Sequence, residues 1–388
     1  MNTIEKTKKL QIPATFIMAF LLGYYIATYQ YSLLAIAADF SLDEVQIGVL
    51  VGLNYGTHMI LPVLFGILAD RIGKKPFLIL GCIMLAAGIL LFLKANNFAT
   101  MIAITFLAGS GFGAMQSLYL SMLADSYPDN VTRYTNFAQT IFGFGAFLGP
   151  LLAAGLIGAG LTWQQSFLPI VLFITAAVVF LAFTHPAKKR EAPVSKSGNS
   201  SSIFKSPLFY ILLLWMISYM GIEMPVASFS NAFFVQQLSV PEFAALALSL
   251  YWIMMVPSRL LMGIVKKNHL KIIAVFSVLL IITSALIALI DNYVICLVLF
   301  ALSGFLCGPI WPTIFASSQK SFPHATGTVG SFCNAFSGLG GFLFPILFGA
   351  ISNGRPLTVV YFAIAIVAVI CLLFALLTRR NMRRIGVE

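Results

Sequence analysis

Residues 357–379 read LTVVYFAIAIVAVICLLFALLTR and carry no charged side chain before Arg379. A helix of about 20 such residues crosses the ~30 Å hydrocarbon core of a bilayer. Comparable runs recur along the chain of 388 residues, which is 60% hydrophobic and only 9% charged, with a mean hydropathy of +0.97. Soluble domains carry about 25% charged residues, and barrel strands would alternate over ~10-residue segments. We therefore predict an all-α polytopic membrane protein.

The apolar runs predict twelve transmembrane helices. They lie at residues 13–37, 44–69, 76–94, 98–124, 134–158, 165–184, 207–235, 242–265, 271–290, 294–318, 326–351 and 357–379. The even number places both termini on one side of the membrane.

The basic residues indicate which side that is. Of the 23 Lys and Arg residues, all but Lys94 and Arg355 fall in the terminal segments or at the turns after even-numbered spans. Cytoplasmic loops carry an excess of Lys and Arg, so both termini are predicted to be cytoplasmic and the location a cytoplasmic (inner) membrane. Basic loops also account for the net charge of +11 without nucleic acid. Arg259 is expected to extend to the headgroups, with a cytoplasmic gate contact as the alternative.

A soft linker divides the spans six and six. Residues 186–206 read PAKKREAPVSKSGNSSSIFKS, a Pro-, Ser- and Lys-rich stretch that cannot form a packed core. We predict an N-terminal bundle at 1–185 and a C-terminal bundle at 207–388. A shift of 195 residues aligns the halves, with GFGAFLGPLL from Gly143 meeting GLGGFLFPIL from Gly338. Repeated halves are a transporter architecture, because similar bundles can rock about a fixed site.

The loop GILADRIGKKP, residues 66–76, resembles the signature loop of the major facilitator superfamily. The resemblance implies two pseudo-symmetric six-helix bundles, transport by alternating access, and a loop that gates the cytoplasmic face. The acid of the loop would pair with bases or a helix N-terminus when the gate is closed. The alternative is that its bases only fix the topology. The gating residues that the resemblance implies are Gly66, Asp70, Arg71, Gly73 and Lys74.

Two resemblances indicate different branches. Residues 111–150 and WPTIF at 311–315 resemble the fucose:proton symporter branch, which implies a hexose-like or other polyhydroxylated substrate. The proton-carrying acids of that branch fall on Ala27 and Gln116 here, so its coupling chemistry is missing or moved. GAFLGP at 145–150 instead resembles a motif of drug:proton antiporters, although close helix packing explains its glycines equally well. A proton-driven exporter of amphipathic drugs or metabolites is therefore the alternative function.

Glu223 is unusual among the twelve carboxylates because it alone lies near the middle of a span. A carboxylate in hydrocarbon is expensive, and such residues face a cavity or a partner. Glu223 is therefore a candidate proton carrier, a ligand for substrate hydroxyls, or a structural partner of a polar group. Gly221 and Pro225 beside it predict a bent or broken helix.

The resemblance implies that spans 1, 4, 7 and 10 line the central cavity. Amides suit hydroxyl groups and aromatic rings cover a pyranose face, although drugs would suit them too. His58 either makes a structural contact or takes part in substrate binding or proton relay. The candidate substrate-binding residues are Glu223, Gln116, Gln139, Asn136, Asn334, Tyr29, Tyr119, Tyr219, Trp311 and His58.

The chain is thus interpreted as a secondary transporter of a small polar, sugar-like solute, with Glu223 as the coupling residue if protons drive it. A receptor or scaffold on the same fold is a third hypothesis. The sequence holds no phosphate-binding loop, metal-ligand cluster or nucleophile motif, so we expect no enzyme activity and no cofactor. The expected partners are the solute, protons and lipid, and the expected state is a monomer.

Overall fold

The computed structural model describes residues 10–126, 131–184, 200–265, 268–323 and 326–386, and these ranges contain helices and their connections without a strand. The predicted all-α fold is confirmed. The helices are α1 (Gln11–Phe40), α2 (Glu44–Ile72), α3 (Lys74–Phe92), α4 (Phe98–Ser126), α5 (Val131–Gly158), α6 (Leu168–Ala182), α7 (Pro207–Ala232), α8 (Ala244–Ile264), α9 (His269–Leu289), α10a (Tyr293–Cys307), α10b (Ile310–Ser321), α11 (Thr326–Ser352) and α12 (Thr358–Arg384). One 3-10 turn, Ser200–Lys205, precedes α7.

The helices coincide with the twelve predicted spans. Within the described residues, 11 segments are long and apolar enough to cross a membrane, and one of them, Tyr293–Ser321, joins α10a and α10b. The predicted second span coincides with α2, a helix of 29 residues. Helices pair most of their backbone groups internally, which is what lipid requires of a spanning segment.

The contacts divide the chain into two compact units. The N-terminal unit comprises Met1–Leu42 and Leu53–Glu191, and the C-terminal unit comprises Asp43–Gly52 and Ala192–Glu388. All residues of the candidate coupling site described below belong to the C-terminal unit.

Glycines bring α1 and α5 into direct backbone contact in the N-terminal unit. A Cβ atom on Gly145 would overlap the Phe20 carbonyl oxygen, and one on Gly149 would lie 2.8 Å from the Tyr24 carbonyl oxygen. Small residues allow membrane helices to approach this closely. The glycines of the antiporter-like motif therefore serve helix packing.

The C-terminal unit repeats this contact. Gly340, the residue that the 195-residue shift pairs with Gly145, lies in α11 with its Cβ position 2.8 Å from the Ile217 carbonyl oxygen of α7. The internal repeat seen in the sequence thus reappears as the same packing of helix backbones in both units.

Candidate functional site

The tenth span is interrupted near its middle. α10a ends at Cys307, Gly308 and Pro309 form a turn, and α10b begins at Ile310. Pro309 and Pro312 have no backbone N–H, so the carbonyl groups four residues earlier, on Phe305 and Gly308, lose their helical donors. The break therefore leaves polar backbone groups inside the membrane that need other partners.

Two side chains of the C-terminal unit bind carbonyl oxygens at this break. The Tyr219 hydroxyl of α7 donates to the Cys307 carbonyl oxygen at 3.2 Å. The Arg259 Nε of α8 donates to the Gly308 carbonyl oxygen at 2.9 Å. The expectation that Arg259 extends to the headgroups is wrong for this structure, because its guanidinium turns inward to the tenth span.

Glu223 lies beside both of these donors. It is 7% exposed, and Tyr219, one turn earlier on α7, and Arg259 both interact with its carboxyl group. The Tyr251 hydroxyl of α8 donates to the Glu223 backbone carbonyl at 3.1 Å. Of the bend or break predicted beside Glu223, the break is absent, since α7 continues through Pro225 to Ala232. The broken helix is the neighbouring tenth span.

The Glu223 carboxyl group and the two carbonyl oxygens at the break compete for the hydrogen-bond donors of Tyr219 and Arg259. Tyr219 has a single hydroxyl hydrogen, so while it donates to Cys307 it can only accept from Glu223, which requires a protonated carboxyl group. An ionised Glu223 instead attracts both the hydroxyl hydrogen of Tyr219 and the guanidinium of Arg259. The protonation state of Glu223 therefore influences how firmly α7 and α8 hold the break.

Uncharged polar groups form a separate cluster in the N-terminal unit. The Asn54 amide nitrogen donates to the Tyr25 hydroxyl at 2.7 Å, and the Tyr29 hydroxyl lies 3.2 Å from Thr105 Oγ1. Tyr29, a predicted substrate residue, is 1% exposed and stacks on Tyr25. To bind a solute through its hydroxyl group, Tyr29 would have to give up the contact with Thr105. Tyr119, another predicted residue, is fully buried.

Three of the predicted substrate-binding residues with amide side chains are more exposed than Tyr29 and Tyr119. Gln116 on α4 and Asn334 on α11 are exposed, and Gln139 on α5 is half-buried. An amide that faces hydrocarbon lacks hydrogen-bond partners and is costly. Exposure in the middle of a span therefore indicates that these side chains border water.

An aromatic pair on α10b belongs to the same unit as the exposed Asn334. Trp311 and Phe315 of α10b stack with ring centroids 5.3 Å apart and an interplanar angle of 7°. The Trp311 indole nitrogen donates to the Ser337 hydroxyl of α11 at 3.3 Å, which fixes the ring, and both rings are half-buried. A fixed, partly open ring pair offers an apolar face to a solute.

The bases of the signature loop bind helix ends of the N-terminal unit. Lys74 Nζ donates to the Ser121 carbonyl oxygen at 3.0 Å, and Lys75 Nζ donates to the carbonyl oxygens of Ala182 and Thr184, each at 2.9 Å. Ala182 and Thr184 lie at the C-terminal end of α6, where carbonyl groups lack intrahelical donors and cations are favourable, whereas Ser121 lies in the penultimate turn of α4. The loop thus ties α3 to the ends of α4 and α6.

Gly73 in this loop has a φ of 108°, and nothing lies within 4 Å of its Cβ position. Its backbone conformation, and not a lack of space, requires glycine. The side chains of His58, Asp70, Arg71 and Asn136, and the surroundings of Gly66, lie outside the residues whose side chains the structure describes, so their predicted roles stay predictions.

We expect Lys75→Gln to lower the thermal stability of the protein. Removing a charged donor from two carbonyl groups costs about 1–2 kcal/mol, which corresponds to roughly 3–6 °C in Tm. The melting temperature in detergent measures the effect, and Lys94→Gln, at an exposed position of the same unit, is the matched control. Equal melting temperatures for both variants would contradict the tethering role.

Three elements of this site escaped the sequence prediction. The candidates include neither Tyr251 nor the carbonyl groups of Cys307 and Gly308, and the sequence places Arg259 at the headgroups or in a cytoplasmic gate contact. The string CGPIWP, residues 307–312, holds a Gly-Pro pair followed by a second Pro. Such breakers inside an apolar run were the available signal for the interruption.

The fold and motifs agree with known proteins. The family model of the Major Facilitator Superfamily matches residues 15–345 and 271–386. The chain is 22% identical over 342 residues to the inner membrane transport protein YdiM of Escherichia coli, which covers 82% of this chain and 81% of the relative. It is 20% identical over 318 residues to multidrug resistance protein D of the same organism, with 78% and 79% covered.

Solved structures show the same fold at low sequence identity. A mutant of the nucleoside transporter NupG aligns over 96% of this chain and 99% of its own, with a TM-score of 0.81 and 15% identity. A mutant of the E. coli fucose:proton symporter FucP aligns over 97% and 99%, with a TM-score of 0.65 and 18% identity. With its signature loop and twelve crossings, the chain belongs to the major facilitator superfamily and is a transporter of that fold.

Proposed function

We propose that this protein is a proton-coupled secondary transporter of a small polyhydroxylated solute and that Glu223 is its coupling residue. The observation that carries the proposal is the buried Glu223 carboxyl group beside a broken tenth span whose carbonyl oxygens are held by Tyr219 and Arg259. A buried acid that shares its donors with an interrupted helix links proton binding to the shape of that helix.

The solute class follows from the open polar and aromatic side chains. Gln116, Gln139 and Asn334 supply amides, and the stacked Trp311 and Phe315 supply a ring face. Amides bind hydroxyl groups, and a ring covers the apolar face of a sugar. Two of the structural neighbours, a nucleoside transporter and a fucose:proton symporter, agree with such solutes.

The proposed location is the cytoplasmic membrane, with both termini in the cytoplasm, as the basic loops indicate. The inner membrane relative supports the location. In this proposal the N- and C-terminal bundles, 1–185 and 207–388, alternate about the linker 186–206. The signature loop with Asp70 then acts as the inner gate, and the ties of Lys74 to α4 keep that loop in place.

Proteoliposomes test the proposal. Purified protein is reconstituted into vesicles with a pH gradient, acid outside. Uptake is then measured for a panel of radiolabelled sugars, polyols and nucleosides and for their carboxylate derivatives. We expect at least one solute to accumulate with the gradient and to equilibrate without accumulation when a protonophore removes it. Failure of every polyhydroxylated solute to enter would refute the proposed substrate class.

An exporter of amphipathic compounds is the second candidate function. It is favoured by the similarity to multidrug resistance protein D, which extends over 78% of this chain. The same membranes distinguish the two, because an exporter would move a lipophilic cationic dye against its gradient in exchange for protons. Dye transport without sugar transport would establish the second function.

We expect Trp311→Ala to raise the KM for the transported solute about tenfold, because loss of the ring removes roughly 1.4 kcal/mol of stacking and burial. Trp311→Phe keeps a ring and should raise it only about threefold. Initial uptake rates measure the effect. Leu302→Ala, at a 37% exposed position of the same span, is the control, and an equal KM in all four proteins would contradict the role of the ring.

A further inference from the structure

We infer that the coupling site takes an anionic solute, a polyhydroxylated carboxylate, and that Arg259 is the residue that selects it. This inference rests on the proposed proton-coupled transport and adds the charge of the solute. It follows from the donors of Arg259, from the charge balance with Glu223, and from the position of both groups at the break.

The guanidinium of Arg259 has hydrogen-bond capacity to spare. Its Nε donates to the Gly308 carbonyl oxygen at 2.9 Å, and its Nη2 lies 3.7 Å from Met255 Sδ, a weak acceptor. A guanidinium carries five donors in a planar fork. Its other N–H groups meet no hydrogen-bond acceptor in the part of the chain that the structure describes, although the residue is half-buried. That fork fits a carboxylate in bidentate geometry.

Arg259 is the single fixed charge that opposes Glu223 among its described neighbours. The titratable groups around the Glu223 carboxyl group are Tyr219 on its own helix, Tyr251 and Arg259 on α8, and Cys307 on α10a, with Cys371 of α12 behind Cys307. α11 packs against α7 and contains no acidic or basic side chain. The net charge of the site is therefore zero with Glu223 ionised and +1 with Glu223 protonated.

Because of this charge balance, binding of a proton to Glu223 favours binding of an anion to Arg259, and the reverse also holds. A proton alone leaves Arg259 as an uncompensated charge inside the protein, which is costly. An anion alone places two negative groups on one guanidinium. When both bind, the neutral Glu223 and the pair of Arg259 with the anion restore a net charge of zero. Each ligand thus raises the affinity for the other.

A neutral sugar would gain nothing from this arrangement. With a neutral solute, the proton-loaded site carries +1 through every conformational step inside a low-dielectric membrane. With an anion, the empty and the fully loaded sites are both neutral. The hydroxyl groups of the solute remain the ligands of the amides, and the carboxylate becomes the ligand of Arg259.

Matched pairs of probes test the inference in proteoliposomes with an acid-outside gradient. The pairs are D-glucose and D-glucuronate, glycerol and glycerate, and uridine and orotidine, which differ in a carboxylate. We expect the anion of at least one pair to accumulate against its gradient and its neutral partner to show no accumulation. Arg259→Gln should reduce anion uptake about 100-fold or more, and Arg259→Lys, which keeps the charge but loses the fork, about tenfold. Arg355→Gln, exposed in an external turn, is the control.

The outcomes separate this inference from the proposed function. Uptake of neutral probes with unchanged rates in Arg259→Gln overturns the anion site and leaves the transport function standing. If no probe of either kind enters, the proposed function fails and the inference fails with it. Should Arg259→Gln aggregate, calorimetry on the unmodified protein decides, since anion binding must take up about one proton per anion. Anion binding without proton uptake would overturn the inference.

Discussion

Glu223→Gln is expected to abolish accumulation of the solute against its gradient while exchange of solute across the membrane persists. Glutamine matches the shape of a protonated carboxyl group but cannot release a proton, so the cycle loses its driving ion. With one proton per solute, a difference of one pH unit supplies about 1.4 kcal/mol, or about tenfold accumulation. The variant should accumulate none, whereas counterflow should stay within about threefold of the unmodified rate.

The measurement compares uptake driven by a pH gradient with counterflow in the same vesicles. Glu242→Gln is the matched control, because Glu242 is an exposed carboxylate of the same unit, in the turn Pro241–Phe243 at the start of the eighth span. Glu223→Asp, which keeps a titratable group one methylene shorter, should retain part of the accumulation. Full accumulation in Glu223→Gln would show that Glu223 does not carry the coupled proton.

The sequence predicted the features of this fold that depend on apolar length and on the internal repeat. The length of an apolar run specifies a crossing, since lipid offers an uninterrupted apolar run no other spanning structure than a helix. The second span, predicted at 44–69, is the helix Glu44–Ile72. The shift of 195 residues also predicted which glycines share a role, as Gly145 and Gly340 pack on α1 and α7 in the same way.

The sequence failed where the outcome depended on which helices are neighbours. Pro225 beside Glu223 suggested an interruption of span 7, but a proline inside a membrane helix is tolerated when its surroundings satisfy the freed carbonyl group. The interruption lies at Gly308 and Pro309, where Tyr219 and Arg259 donate to the carbonyl oxygens of Cys307 and Gly308. The contacts of Arg259 and Tyr219 with this segment could not be predicted from the sequence alone, because they depend on how α7, α8 and α10a pack together.

Gly304→Ala is expected to destabilise the C-terminal unit by at least about 3 kcal/mol, which exceeds the effect of most single substitutions. A Cβ atom at this position would overlap the Tyr251 carbonyl oxygen of α8, a backbone atom that no side-chain rotamer can move away. The helices α8 and α10a must then separate. We expect a fall in Tm of roughly 6–12 °C.

Separation of α8 and α10a should also impair proton coupling, because both helices carry groups of the coupling site close to the contact between Gly304 and Tyr251. Tyr251 donates to the Glu223 backbone, and Cys307 and Gly308 follow Gly304 by one turn. Gly263→Ala, in α8 with no atom within 4 Å of its Cβ position, is the matched control and should change the stability by less than about 1 kcal/mol. Tyr251→Phe removes the hydroxyl without touching either backbone. If it lowers accumulation while Tm stays constant, the hydroxyl acts on Glu223 directly, whereas a normal Tm in Gly304→Ala would disprove the backbone contact itself.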